Sequence, residues 1–401
     1  MGMNDTPKGE RIQIALFGRR NAGKSSIINA ITGQDLAIVS NVKGTTTDPV
    51  YKAMEILPLG PVMLVDTPGL DDEGELGQER IRKAKSVLNK TDIALVVVDG
   101  HQALEDMSFE QSILQLIEQK QIPHIIILNK QDTFIDQENA VTSKGDICVS
   151  ATTGYHINEL KERIAHIVPE DQDTRRIVGD IIYPGDFVVL VVPIDSAAPK
   201  GRLILPQQQT VRDVLESDAT AIVVKDSELR DTLQNLGKKP ALVITDSQAF
   251  AKVSVDTPRD IPLTSFSILF ARYKSDLQTM VRGALAASQL KDGDTILMAE
   301  GCTHHRQCDD IGTVKLPRWL SEYSGKKLNF ETSSGGGFPE DLSKYALIVH
   351  CGGCTLAKKE MEFRLKEAKD QNVPIVNYGV LIAQMTGVLQ RSMEPFSDIK
   401  L

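Results

Sequence analysis

Four of the five cysteines in this 401-residue chain lie in its last quarter. They form two groups, Cys302-Thr303-His304-His305 with Cys308, and His350-Cys351-Gly352-Gly353-Cys354. Thiolates grouped with imidazoles bind soft metals, zinc or iron–sulfur centres, in preference to oxygen-seeking cations. Cys302, Cys351 and Cys354 supply three thiolates, and His304, His305, His350, Cys308 and Asp309 are candidates for a fourth position. A Cys₃His set would satisfy tetrahedral zinc. Three thiolates would equally anchor a 4Fe-4S cluster with one exchangeable ligand, and spacing does not choose between them. Cys148, inside an apolar run, reads as a packing residue.

The other end of the chain carries phosphate chemistry. Gly18-Arg19-Arg20-Asn21-Ala22-Gly23-Lys24-Ser25 matches a phosphate-binding loop between an apolar run and a helical one. Its glycines let backbone N–H groups turn toward phosphates, and the helix that follows adds its dipole. This places nucleotide contacts on Asn21, Ala22, Gly23, Lys24, Ser25 and Ser26, with Lys24 neutralising β- and γ-phosphate charge and Ser25 giving a hydroxyl to Mg²⁺. Asp66-Thr67-Pro68-Gly69 adds a carboxylate for the Mg²⁺ shell and a glycine N–H that can sense a γ-phosphate. In Asn129-Lys130-Gln131-Asp132 the Asp132 carboxylate can accept from guanine N1–H and its exocyclic amine, a donor pair adenine lacks. Ser150-Ala151-Thr152 completes the set beside the guanine oxygen. The implied nucleotide is GTP.

These motifs need strands to carry them. Apolar runs at 12–17, 62–65, 93–98, 124–128 and 147–149 alternate with helical stretches, which predicts a parallel sheet covered by helices, with ligand groups at the carboxyl ends. A charged stretch near 169–176 reads as a linker. Runs at 187–192, 221–224 and 241–244, with helices over 210–217 and 228–236, predict a second, smaller α/β unit without a catalytic constellation. Pro258 and Pro262 mark another boundary. A helix over 274–288, a strand at 295–299, a flexible 333–337, a strand at 346–349, a helix over 356–370, a strand at 373–376 and a closing helix follow. Expected domains are 8–170, 171–262 and 263–401. Both cysteine groups come just after a strand, so parallel neighbouring strands would let their loops meet.

Composition bounds the class. With 41% hydrophobic and 25% charged residues the chain is ordinary for a soluble globular protein, and no run approaches the ~18 to 20 apolar residues of a membrane span. The polar N-terminus lacks a secretory core, so a cytoplasmic location is expected. Five cysteines do not make a disulfide framework, and a net charge of -9 argues against broad attraction to nucleic acid.

The four ordered nucleotide motifs resemble the TrmE–Era type of small GTPase, particularly its potassium-dependent members. That resemblance implies that Asn21 helps hold K⁺ and that Gly44-Thr45-Thr46-Thr47-Asp48 is the first switch, with Thr46 on Mg²⁺ and the γ-phosphate. Thr47 replaces the Arg common in tRNA-modifying relatives. Leu70 stands where Ras-like enzymes carry a water-orienting Gln, and the resemblance puts Glu79 in that role. The GTPase head, the middle unit, and Cys302-Thr303-His304 separated by forty-five residues from His350-Cys351-Gly352-Gly353-Cys354 together resemble the HydF family of FeFe-hydrogenase maturation GTPases. What this implies is an α/β chain: a P-loop GTPase domain, a small α/β dimerisation domain and an α/β metal-cluster domain. It further implies a 4Fe-4S cluster on Cys302, Cys351 and Cys354, and a homodimer or higher oligomer. The implied role is a scaffold that receives a diiron precursor and delivers it to apo FeFe-hydrogenase alongside radical-SAM maturases. Cys308 lies outside that pattern. The rival reading is a tRNA-modification or ribosome-assembly GTPase with a structural zinc, which predicts zinc and nucleic-acid binding; a redox protein with a vestigial nucleotide domain is opposed by the complete Lys24 and Asp132 motifs.

Overall fold

The computed structural model describes residues 8–33, 49–67, 85–134, 145–167, 175–194, 203–301, 310–335, 337–353 and 356–401. The chain divides into two compact units, 1–173 and 174–401.

The first unit is built on β1 (Ile12–Phe17), β2 (Val50–Ile56), β3 (Gly60–Asp66), β4 (Ile93–Asp99), β5 (His124–Asn129) and β6 (Ile147–Cys148), in the order β2-β3-β1-β4-β5-β6. All neighbours are parallel except β2 against β3. Central strands such as β4, Ile-Ala-Leu-Val-Val-Val-Asp, are apolar throughout because both faces are covered; residues 93–98 are all buried. The antiparallel edge strand β2 adds to the expected parallel sheet a strand that was not read from the sequence. Its sequence, Val-Tyr-Lys-Ala-Met-Glu-Ile, is mostly exposed or half-buried, so it offers no continuous apolar run to read. Strand order reverses between β1 and β4. This is the crevice where open α/β sheets take ligands, and the nucleotide motifs follow the carboxyl ends of these strands.

The second unit holds two four-stranded parallel sheets. One contains β7 (Phe187–Val191), β8 (Thr220–Val224), β9 (Leu242–Thr245) and β10 (Leu263–Ser265), in the order β10-β9-β7-β8. The other contains β11 (Thr295–Ala299), β12 (Asn329–Ser333), β13 (Leu347–His350) and β14 (Ile375–Asn377), in the order β12-β11-β13-β14. The middle sheet's edge strand β10 begins at Leu263, past the boundary expected at 262. One continuous buried core runs through both sheets, so that boundary is not a gap in packing.

Helix Phe266–Lys274 lies in this core, opened by Ser265, whose hydroxyl accepts from the Ile268 N–H at 3.2 Å. The next helix, Leu277–Ala286, is capped by Asp276. The helix expected over 274–288 therefore begins only at Leu277, because the extended Ser275 and the Asp276 cap separate it from the unexpected helix Phe266–Lys274. Far along the chain, the buried Arg391 donates to the carbonyls of Ser254, Thr257 and Pro258 at 2.6, 2.8 and 2.7 Å, tying the last helix, Leu389–Met393, to the middle sheet's flank. Among the described residues no helix is long and apolar enough to cross a membrane.

Candidate functional site

The phosphate-binding loop leaves β1 and enters helix Lys24–Thr32. Gly18 has φ of +148°, and a Cβ there would stand 2.1 Å from the Val97 carbonyl oxygen of β4. Asn21 and Gly23 take left-handed φ of 58° and 96°, which curls the loop. Lys24 is buried, and its ammonium donates to the loop's own Gly18 and Arg19 carbonyls at 2.9 and 2.8 Å. It is thus centred where phosphate charge would need neutralising.

Ser25 Oγ donates to Asp66 Oδ2 at 2.5 Å, so the two oxygens expected on Mg²⁺ come together from helix and strand. Burial pushes the Asp66 carboxyl above its ordinary range, against the Ser25 hydrogen bond and the positive charges of Lys24 and Lys52. Two hard oxygens at the mouth of the loop fit a small dication.

On the base side, Asp132 Oδ1 accepts from the Ser150 hydroxyl at 2.5 Å, and that hydroxyl accepts in turn from the Thr153 N–H at 3.1 Å. Ser150 therefore aims the carboxylate. Asn129 has a second job that its place in the motif does not announce. Its amide donates to the Ala22 carbonyl at 2.9 Å and accepts from the Ala151 N–H at 3.2 Å, tying the phosphate loop to the base loop. Lys130, itself left-handed at φ 68°, pairs with Asp99 at 2.6 Å. Arg19 was not singled out in the sequence, yet it braces the loop through Asp106 and Glu110 at 2.8 and 3.1 Å. Thr46, Gly69, Leu70 and Glu79 lie outside the described residues.

Gly23 gives a direct test of this tie. A Cβ at Gly23 would sit 2.1 Å from Asn129 Nδ2 at a positive φ. Gly23→Ala should cost about 2 to 3 kcal/mol, the sum of left-handed strain and a lost hydrogen bond. Urea unfolding and labelled-GDP titration would measure it, and a variant with wild-type values for both would remove the tie from the site.

The cysteine site is organised by strand pairing. β11 and β13 are parallel neighbours, with Ala299 opposite His350. The Cys351 N–H donates to the Ala299 carbonyl at 2.9 Å, and the Gly301 N–H donates to Cys351 Sγ at 3.0 Å. The residue before Cys302 thus touches the second group's first thiol. A backbone N–H aimed at sulfur, beside further soft donors in the sequence, fits an iron–sulfur centre, whose sulfurs take such bonds. Cys302, His304, His305, Cys308, Asp309 and Cys354 lie outside the described residues. Among the described residues no group of three metal-binding side chains occurs.

His350 does not stand ready as a ligand. It is fully buried, with Nδ1 2.7 Å from the Cys351 carbonyl and Nε2 2.9 Å from Arg364 Nη1. A guanidinium can only donate, so Nε2 accepts and Nδ1 carries the proton. Both nitrogens are engaged, and burial first, then the Arg364 charge, hold the imidazole down to about 3, in its neutral form. Arg364 also donates to Glu360 Oε1 and the Gly335 carbonyl, each at 2.6 Å. Glu360 and Arg364, not singled out in the sequence, stand one turn apart on helix Lys358–Asp370, and tertiary packing buries both. Cys148 is buried in β6, as its apolar run implied.

Comparison with known proteins gives each part a relative. Residues 13–130 match the family model described as 50S ribosome-binding GTPase. GTPase Der of Wolinella succinogenes is 34% identical over 185 residues, 43% of this chain and 38% of that protein. The tRNA modification GTPase MnmE of Legionella pneumophila (strain Corby) is 36% identical over 163 residues, 40% of this chain and 35% of that one. The chain therefore spans less than two fifths of the length of these curated relatives. Among solved structures, Aquifex aeolicus Era bound to GDP and AlF4⁻ is 21% identical with a TM-score of 0.34, covering 53% of this chain and 92% of that one. Residues 177–275 match the hydrogen maturase F dimerization domain, and residues 278–395 the hydrogen maturase F tetramerization domain. With both of these domains in order behind a GTPase domain, the chain belongs to the hydrogen maturase F (HydF) family.

Proposed function

We propose that this chain is a GTP-hydrolysing scaffold in FeFe-hydrogenase maturation, holding a 4Fe-4S cluster, receiving a diiron precursor made by radical-SAM maturases and delivering it to the apo-hydrogenase. The observation that carries the reading is the pairing of β11 with β13, which starts the two cysteine loops side by side in a chain that also carries a guanine-type nucleotide site.

In the nucleotide site, Lys24 neutralises the phosphates, Ser25 and Asp66 hold Mg²⁺ with Thr46, Asn21 assists through K⁺, and Asp132 reads the base. Gly69 senses the γ-phosphate, which lets the switch segment order with GTP and relax after hydrolysis to GDP and phosphate. In the cysteine site Cys302, Cys351 and Cys354 hold the cluster, which supplies an iron with a replaceable ligand. His304, Asp309 and His350 are the fourth-ligand candidates, and His350 would first have to release Arg364 or the Cys351 carbonyl. Homodimerisation is assigned to the middle domain at 171–262, with further assembly through 263–401.

Anaerobic purification with iron, sulfide and zinc analysis tests the cluster. About four irons and four sulfides per chain are expected; stoichiometric zinc without iron would favour the tRNA-modification reading and sink this one. For hydrolysis, Glu79→Ala should lower GTP turnover about a hundredfold or more while GTP binding persists. Unchanged turnover would take Glu79 out of the mechanism.

A further inference from the structure

The loop that carries Cys351 and Cys354 is gripped from the protein side by two buried cations. Lys274, 2% exposed, donates to the Gly353 and Leu356 carbonyls at 3.1 and 3.0 Å, so it holds the chain before and after residues 354–355. Arg364, 1% exposed, reaches the other end of the loop through His350, whose Nδ1–H is given to the Cys351 carbonyl. Burying an ammonium or guanidinium is costly, and such groups persist where their donors are satisfied and an anion repays the desolvation. Arg364 has Glu360 for that purpose. The Lys274 ammonium also faces the Phe270 ring, whose centroid is 5.9 Å away.

Lys274 also belongs to a different part of the chain from the loop it holds. It ends helix Phe266–Lys274, within the residues matching the dimerization domain, whereas the loop lies within the tetramerization match. A side chain from the residues matching the dimerization domain thereby reaches the cysteine site.

We propose that Lys274 and Arg364 are positioning residues for the metal held by Cys351 and Cys354: by holding the Gly353 and Leu356 carbonyls and, through His350, the Cys351 carbonyl, they preform the loop that presents its ligands. The proposal rests on the metal-binding reading of these cysteines but not on which metal they take. Its test uses full-length apo protein and Zn²⁺, titrated against a chromophoric chelator, with anaerobic iron–sulfide reconstitution in parallel. Lys274→Met should weaken Zn²⁺ binding about tenfold to a hundredfold, the usual scale for groups that orient metal ligands, and Lys274→Arg should recover most of it. The double variant Glu360→Gln with Arg364→Met removes the second grip without stranding a buried charge, and should weaken Zn²⁺ binding on a similar scale. Melting of each apo variant by circular dichroism shows whether the fold survives; if Lys274→Met melts early, the double variant and Lys274→Arg carry the comparison. Zinc affinities within about twofold of wild type in both folded neutral variants would overturn the proposal, because orienting groups act well above that scale. So would a Lys274→Arg variant as weak as Lys274→Met. A wild type that binds Zn²⁺ but takes up no iron–sulfide would overturn the cluster reading alone, leaving this test to be decided on zinc.

Discussion

Asp132→Asn should turn the nucleotide site from GTP toward xanthosine triphosphate. In the native site Ser150 donates to Asp132 Oδ1 at 2.5 Å, and an amide oxygen in the variant would keep that bond. The amide NH₂ then faces the base, donor against donor with the guanine 2-amino group. Losing one charge-assisted hydrogen bond and opposing two donors should cost about 2 to 4 kcal/mol, or about thirtyfold to a thousandfold in GTP affinity. Xanthine carries a carbonyl at that carbon, which can accept from the new amide. Competition between labelled GDP and xanthosine diphosphate would show the preference invert. Retained GTP affinity would mean that Asp132 does not read the base.

Cys351→Ala should leave a reconstituted protein nearly devoid of iron and sulfide, against about four of each in the parent. Cys351 is only half-buried at the margin of the core, so the truncation opens little cavity, and its thiol accepts from the Gly301 N–H. GTP turnover should persist, because the nucleotide residues belong to the other compact unit. Cys148→Ala supplies the contrast: buried among β-strand side chains, it should cost stability and spare the iron. Full iron content in the Cys351 variant would place the cluster on other thiols.

The unequal legibility of these sites has physical reasons. The phosphate loop could be read because its function rests on backbone shape, which Gly18 and Gly23 encode locally. Strands β1, β4 and β5 could be read because burial on both faces demands continuous apolar runs. Edge strands β2 and β12 lack that demand; β12, Asn-Phe-Glu-Thr-Ser, is half-buried at most, and its last residue was read as the start of a flexible stretch. Helix Phe266–Lys274 was hidden for the opposite cause: six of its nine residues are buried, so it shows no clean polar face. At the cysteine site, the residue types pointed to metal, but the engagement of His350 depends on Arg364, fourteen positions away and brought in by packing. The same holds for Asn129, whose partners Ala22 and Ala151 lie on two other loops.

The ties made by Arg391 and the placement of β14 set an order for the chain's synthesis. The middle sheet is complete in sequence by Ser265, yet the carbonyls of its flank at Ser254, Thr257 and Pro258 wait for a guanidinium from residue 391. β13 likewise has one neighbour, β11, until β14 arrives more than twenty residues later. During translation both sheets therefore wait, partly unfastened, for residues near the end of the described chain. The cysteine loops cannot settle into their final frame before β14 has been made, so a metal held there would be taken up only after that point in synthesis.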